Sequence, residues 1–360
     1  MTERIFEGTL AQALTSGLIQ PGDRLLLRAG TYPAGDLVAS ISGTEANPIV
    51  ITNYPDEVVL IQPASGYRGL LVQGSYLTFA GDISIDGSAV TSDCIKITDG
   101  AHGIILENLT LYDAPMNGVL ITGAETQAIL RNVTSHGHGT SKGDHGVYVG
   151  DGVVTIEGGE LYINRGHGIH VYGGHSHTTV KNTYCHNNTN VGIGVYSDEA
   201  LIYNNVCREN GESGLRIRYD ALDIQAYFNT LVDNPNNIDV RSIYQTIARP
   251  KVKNNVCIGG AIGIYVQTSN PDMPEASIEL YNNLTYGGST HTILIDEIDV
   301  EAVAQADNLA VAFSPVTDNG AIYTPGIGNP AIGAGVALDG IATDYGGNVR
   351  ANPPTIGAWE

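Results

Sequence analysis

The chain has 360 residues, with 17 basic and 38 acidic side chains and a net charge of −21. That balance excludes a general nucleic-acid or anionic-membrane surface, which needs a basic footprint, and no apolar run reaches membrane-spanning length. The 45 glycines and abundant asparagines point to turn-rich β structure rather than to helix.

The opening MTERIFEGTL does not read as a secretory leader. The expected setting is extracellular or virion-associated with a leader already removed, and a cytoplasmic one stays open. Thr9 to Leu18, TLAQALTSGL, reads as a short amphipathic helix, suited to covering the open end of a repeat array. PGDRLLLRAGTY and GTEANPIVITNYPDEVVLI follow as strand-rich segments. From there a Gly-apolar-x-apolar string recurs at Gly118, Gly146, Gly168, Gly192, Gly214 and Gly263. GLLV at Gly69, CIKI at Cys94 and NIDV at Asn237 extend the series. In phase with it runs Asn108, Asn132, Asn182, Asn205, Asn229, Asn255 and Asn283, with Gly158 in one copy.

Two strand signals per repeat of about two dozen residues, without hairpin turn chemistry, predict coils stacked into parallel sheets. Asparagine tolerates the left-handed bend such a coil needs, and stacked amides can bond along the axis. The regular Leu spacing of leucine-rich repeats is absent. The expected fold is all-β, a single-stranded right-handed parallel β-helix with a short N-terminal capping helix. It forms one domain over 1–360: cap and first turns at 1–66, regular turns at 67–313, and a non-repeat segment at 314–360 packing on the coil. Cys94, Cys185, Cys207 and Cys257 form no CxxC pair and read as buried thiols.

The two N-terminal phrases quoted above and the tail NPAIGAGVALDGIATDYGGNVRANPPTIGAWE resemble the pectate-lyase-like right-handed parallel β-helix superfamily. The resemblance implies the fold and a carbohydrate-active setting. It carries over no catalytic residue, since neither the Tyr-Gly-x-Asp-Pro-His string of mannuronan epimerases nor the Lys–Arg pattern of the poly-mannuronate lyases is present.

Candidate chemistry follows from columns. Strands of adjacent turns lie about 4.8 Å apart, so the middle residue of each string stands beside its counterpart. One outward column reads Tyr148, His170, Gly194, Arg216, Asp239, Tyr265, and a second reads Tyr172, Tyr196, Arg218, Arg241. His145 and His167 precede the glycine and are expected beside them. His170 and Arg216, two turns apart, are expected about 10 Å apart across Gly194. Eight of the ten histidines fall between His136 and His186. This pattern predicts a site for an acidic polysaccharide. His170 would be the base, Tyr148 or Tyr172 the acid, and Arg216 or Arg218 the carboxylate neutraliser, with His145 and His167 in reserve. Tyr196, Asp239, Arg241, Tyr265 and Lys142 would contact substrate.

The leading expectation is a polysaccharide lyase acting on a uronate-containing glycan by β-elimination. The alternatives are a glycoside hydrolase or tailspike-type depolymerase, a uronate C5-epimerase, and a non-catalytic glycan-binding β-helix. The HxH pairs His136/His138 and His175/His177, with Asp198 and Glu199, are candidate ligands for Ca²⁺ or Zn²⁺, although no motif demands either ion. No nucleic-acid or membrane partner is expected, and monomer and trimer are equally open.

Overall fold

The repeat strings become short strands because successive side chains of a strand point to opposite faces. Val147 and Val149 are fully buried while Tyr148 between them is half-buried, and the same buried–half-buried–buried pattern holds at Leu70–Val72, Ile95–Ile97 and Val119–Ile121. The computed structural model describes residues 2–4, 9–98, 100–173, 177–218, 222–242, 249–268, 278–288, 291–296, 303–311, 317–319, 322–326 and 328–360. They fall into two units, Met1–Ser176 and His177–Glu360. Among the described residues no helix is long and apolar enough to cross a membrane.

In the first unit each turn contributes strands to three faces, and every pairing is parallel. One face stacks Leu37–Ala39, Leu70–Val72, Ile95–Ile97, Val119–Ile121, Val147–Val149 and Ile169–Gly173, with Leu37, Leu70, Ile95, Val119, Val147 and Ile169 in register. A second face runs through Ile49–Asn53, Leu77–Asp86, Ile104–Tyr112, Gln127–Arg131 and Val153–Glu157. Thr134–His136 and Glu160–Tyr162 belong to the third. The expected helix is there, shorter than its sequence phrase, at Leu10–Thr15. Thr9 and Gln12 close a capping box, and Leu10, Ala13 and Leu14 are buried. The Leu14 carbonyl accepts the N–H groups of Ser40 and Ile41, tying the helix to the first strand of the face just described.

The second unit repeats this plan. Val191–Ser197, Ser213–Arg218, Asn236–Ser242, Ile262–Thr268 and His291–Asp296 form one parallel face. Its tail packs against the coil: Ile356 and Ala358 join Val206, Val232, Val256 and Leu284 in one apolar cluster. Arg350 lies over the Phe228 ring at 4.0 Å and donates to Asn204 Oδ1 at 2.8 Å. All four cysteines are free and buried, as expected.

The asparagine column resolves into two columns one residue apart. Asn108, Asn132 and Asn182 have positive φ (51° to 57°), and Gly158 shares that bend at 68°. From the next turn the bend falls on Asn204, Phe228, Asn254 and Asn282, with φ of 54° to 58°. Asn205, Asn229, Asn255 and Asn283 come one residue later and are buried in a ladder. The main-chain and amide N–H groups of Asn205 both donate to Asn229 Oδ1 at 3.0 Å, and its amide also donates to the Val180 carbonyl at 2.9 Å. Asn229, Asn255 and Asn283 repeat the pattern, ending on Asn308. A second ladder joins Asn188, Asn210, Asn234 and Asn237.

That second ladder explains the repeat glycine. A Cβ on Gly192 would stand 2.9 Å from the Asn210 amide nitrogen, and one on Gly214 would stand 2.8 Å from that of Asn234. In the first unit a Cβ on Gly146 would meet the Asn164 amide at 2.8 Å and the Gly168 carbonyl at 2.6 Å. The glycine is required by the close approach of ladder and strand, not by its own φ. Gly146→Ala is therefore expected to lower unfolding free energy by about 2 kcal/mol or more. Denaturant titration measures it, and an unchanged midpoint would contradict this packing.

Candidate active site

On the outer face of the first unit, register puts Tyr148 beside His170. Their ring centroids are 5.2 Å apart, and Tyr172 lies 5.6 Å from His170 and 6.3 Å from Tyr148. His170 is half-buried and Tyr172 is exposed. His145 and His167 close the cluster from within, with centroids 4.5 and 4.7 Å from that of His170. The column thus brings together five of its predicted residues.

His145 and His167 are not outward, however; each is 3% exposed. They continue the column of residues before the repeat glycine, which is buried rather than outward. Asn117 N–H donates to Asp93 Oδ1 at 3.1 Å, His145 N–H to Asn117 Oδ1 at 2.9 Å, and His167 N–H to His145 Nδ1 at 2.9 Å. Asp93, Asn117 and His145 turn inward, where each supplies an acceptor to a main-chain N–H of the next turn. Asp93 was missed in the sequence, although its place before Cys94 puts it in the same column as Asn117, His145 and His167.

Burial keeps the imidazoles neutral. It pushes His145 down to about 4, with Asp144 opposing, and His170 down to about 2, with the charge of His145 acting in the same direction. A ring that protonates only in strong acid is a weak Brønsted base at neutrality, which disfavours the base role expected of His170. Burial raises the Tyr148 phenol, so it keeps its proton.

In the second unit Arg216 is 4% exposed and Asp239 is fully buried, so the solvent exposure expected of both is corrected. Register sets them side by side, and a carboxylate without solvent needs cations. Arg216 Nε and Arg241 Nε each reach Asp239 at 2.7 Å; Arg216 also meets Glu212 at 2.8 Å and Ser213 Oγ at 3.0 Å. Burial alone would lower the Arg216 pKa, but Asp239 and Glu212 raise it overall. Arg216 is committed to Asp239, and Asp239 to two arginines, so neither suits substrate contact. Arg218 pairs in register with Arg241, whose guanidinium lies 5.1 Å over the Tyr265 ring. Tyr196 is half-buried on the same face. Lys142 is exposed on the loop held by Asp144.

The metal expectations fare unevenly. His136 stacks between Tyr112 and Tyr162, at 5.7 and 4.6 Å, whereas His138 is buried in the coil. Its Nδ1 accepts the Ala114 N–H at 3.0 Å and its Nε2 meets the Leu111 carbonyl at 3.2 Å, so both ring nitrogens are occupied. The pair does not converge on an ion. His177 pairs with Glu199 at 2.8 Å on the surface, and Asp198 accepts the Leu222 N–H at 2.8 Å; His175 lies outside the described residues. The nitrogens of His145, His167 and His170 lie within 4.8 Å of one another. Donor type suits zinc rather than calcium. Yet a neutral imidazole that ligates through Nε2 carries its proton on Nδ1, and His145 Nδ1 faces an N–H donor.

The family description "Right handed beta helix region" matches residues 117–297. The chain belongs to this family. The β-helix is similar to the pectate lyase Pel9A at 15% identity, covering 98% of this chain and 90% of that one with a TM-score of 0.57. The GH136 lacto-N-biosidase of Eubacterium ramulus aligns at 16% identity over 85% of this chain and 64% of that one, with a TM-score of 0.65. The PL6-family alginate lyase AlyGC aligns at 14% identity over 90% of this chain and 55% of that one, with a TM-score of 0.59. At such identities the likeness is one of fold. No curated protein matches the sequence.

Two predictions follow from burial. His138 is depressed to about 3 when folded, chiefly by burial. Acidification below the ordinary value near 6.5 protonates only the unfolded form, so stability is full above that value and falls toward pH 3. The slope is about 1.4 kcal/mol per pH unit for this one group. His138→Asn, which restores the ladder residue of Asn164, should remove that share of the acid slope measured by thermal unfolding between pH 7 and 5. Arg216→Ala should destabilise the β-helix by about 3 kcal/mol, because it strips one cation from a buried carboxylate; chemical denaturation reads it.

Proposed function

We propose that the protein cleaves a uronate-containing polysaccharide by β-elimination at the Tyr148–His170–Tyr172 face. The observation that supports this reading is a neutral histidine bracketed by two tyrosines on a half-open strand face. Neutralising a uronate carboxylate acidifies the C5 proton. Tyr172, acting as its phenolate, takes that proton, the C4–O4 bond breaks as the C4–C5 double bond forms, and the Tyr148 phenol protonates the departing oxygen. Tyr148, kept as a phenol by burial, suits the donating role. Two neighbours in fold, a pectate lyase and an alginate lyase, act on such polymers.

The test is incubation with pectate, alginate and glycosaminoglycans. Absorbance of the unsaturated uronate should appear with wild type and fall at least a hundredfold with Tyr148→Phe. Reducing ends without that absorbance would replace the reading with hydrolysis. Altered C5 configuration without cleavage would indicate epimerisation, and binding alone a glycan-recognition role.

A further inference from the structure

The buried column does more than hold turns together. His145 Nδ1 accepts the His167 main-chain N–H at 2.9 Å, so this nitrogen carries a lone pair and the proton of neutral His145 sits on Nε2. That Nε2 lies 2.9 Å from Nδ1 of His170. Two nitrogens at this distance share one proton, and His145 is the ring that must supply it. Nδ1 of His170 is then the acceptor, and the proton of neutral His170 sits on its own Nε2.

The chain of cause therefore starts at a main-chain N–H and ends at the site. We propose that His145 is a positioning residue that locks His170 in its Nε2–H form, making it a neutral hydrogen-bond donor rather than a base. The inference rests on the proposed site and deepens it, for a neutral imidazole N–H can polarise a carboxyl or carbonyl oxygen without carrying a charge of its own. Tyr148 and Tyr172 stand beside this ring, with centroids 5.2 and 5.6 Å from that of His170. The proton carriers are then the tyrosines, as the elimination above requires.

The same geometry argues against the histidine trio as a zinc cage. An ion at His145 Nε2 would have to displace the shared proton, with no room for it on Nδ1.

Long-range nitrogen–proton spectra of the full chain, labelled at histidine, read the tautomer directly and need no substrate. His145 and His170 should both appear at neutral pH as rings protonated on Nε2 alone. His145→Asn keeps an acceptor for the His167 N–H, as Asn117 does for His145, but lacks the second ring nitrogen. In this variant the His170 signals should lose the single-tautomer pattern and average between forms. Wild-type His170 protonated on Nδ1, an unchanged pattern in His145→Asn, or stoichiometric Zn²⁺ replacing the pattern would each overturn the proposal. Should the variant not fold, the wild-type spectrum with and without Zn²⁺ decides. A correct tautomer with no elimination on any glycan would sink the lyase reading alone.

Discussion

At the corners of the coil a set of buried main-chain N–H groups takes its acceptor from an asparagine side chain one turn away. That requirement organises this molecule. Apolar stacking holds turns together and decides which residues face inward, but it does not by itself fix the register along the strand, since a two-residue shift keeps the same faces. The amide ladders do set it. Asn205, Asn229, Asn255, Asn283 and Asn308 each receive a main-chain and a side-chain or hydroxyl donor from the turn before. A slipped turn would leave several buried polar groups unpaired, at about 1–3 kcal/mol each.

The histidine cluster is an elaboration of the same device. Where Asn117 offers one oxygen, His145 offers one nitrogen to the same kind of N–H and keeps a second for use outside the ladder. A structural position has thereby acquired a group that reaches the outer face. His138 shows the contrasting outcome, since both of its nitrogens are consumed by main-chain partners within the coil.

Much of this was legible in the sequence and some was not. Strand positions and register followed from apolar alternation after each glycine, and so did the meeting of Tyr148, His170 and Tyr172. Alternation applies only inside a strand, which is why HxH misled. His136 ends the strand Thr134–His136 and Gly137, at φ 71°, turns the chain, so His138 faces inward rather than sharing a side with His136. Arg216 and Asp239 were placed on the correct face of their strands. Their burial depends on which charges meet between turns, and Glu212 enters from before the strand, where no period points to it. The asparagine column was visible one residue out of phase because bend and ladder positions are adjacent and both favour asparagine.

The ladder of the second unit also has a direction. Each main-chain N–H donates toward the later turn, from Thr183 to Asn308. An earlier turn is thus incomplete until its successor supplies the oxygen, and dipoles aligned in one sense polarise one another. Such a stack resists fraying one repeat at a time. The buried N–H groups of one turn thus depend on the turn that follows, and shortening the unit from its last rung exposes the rung beneath.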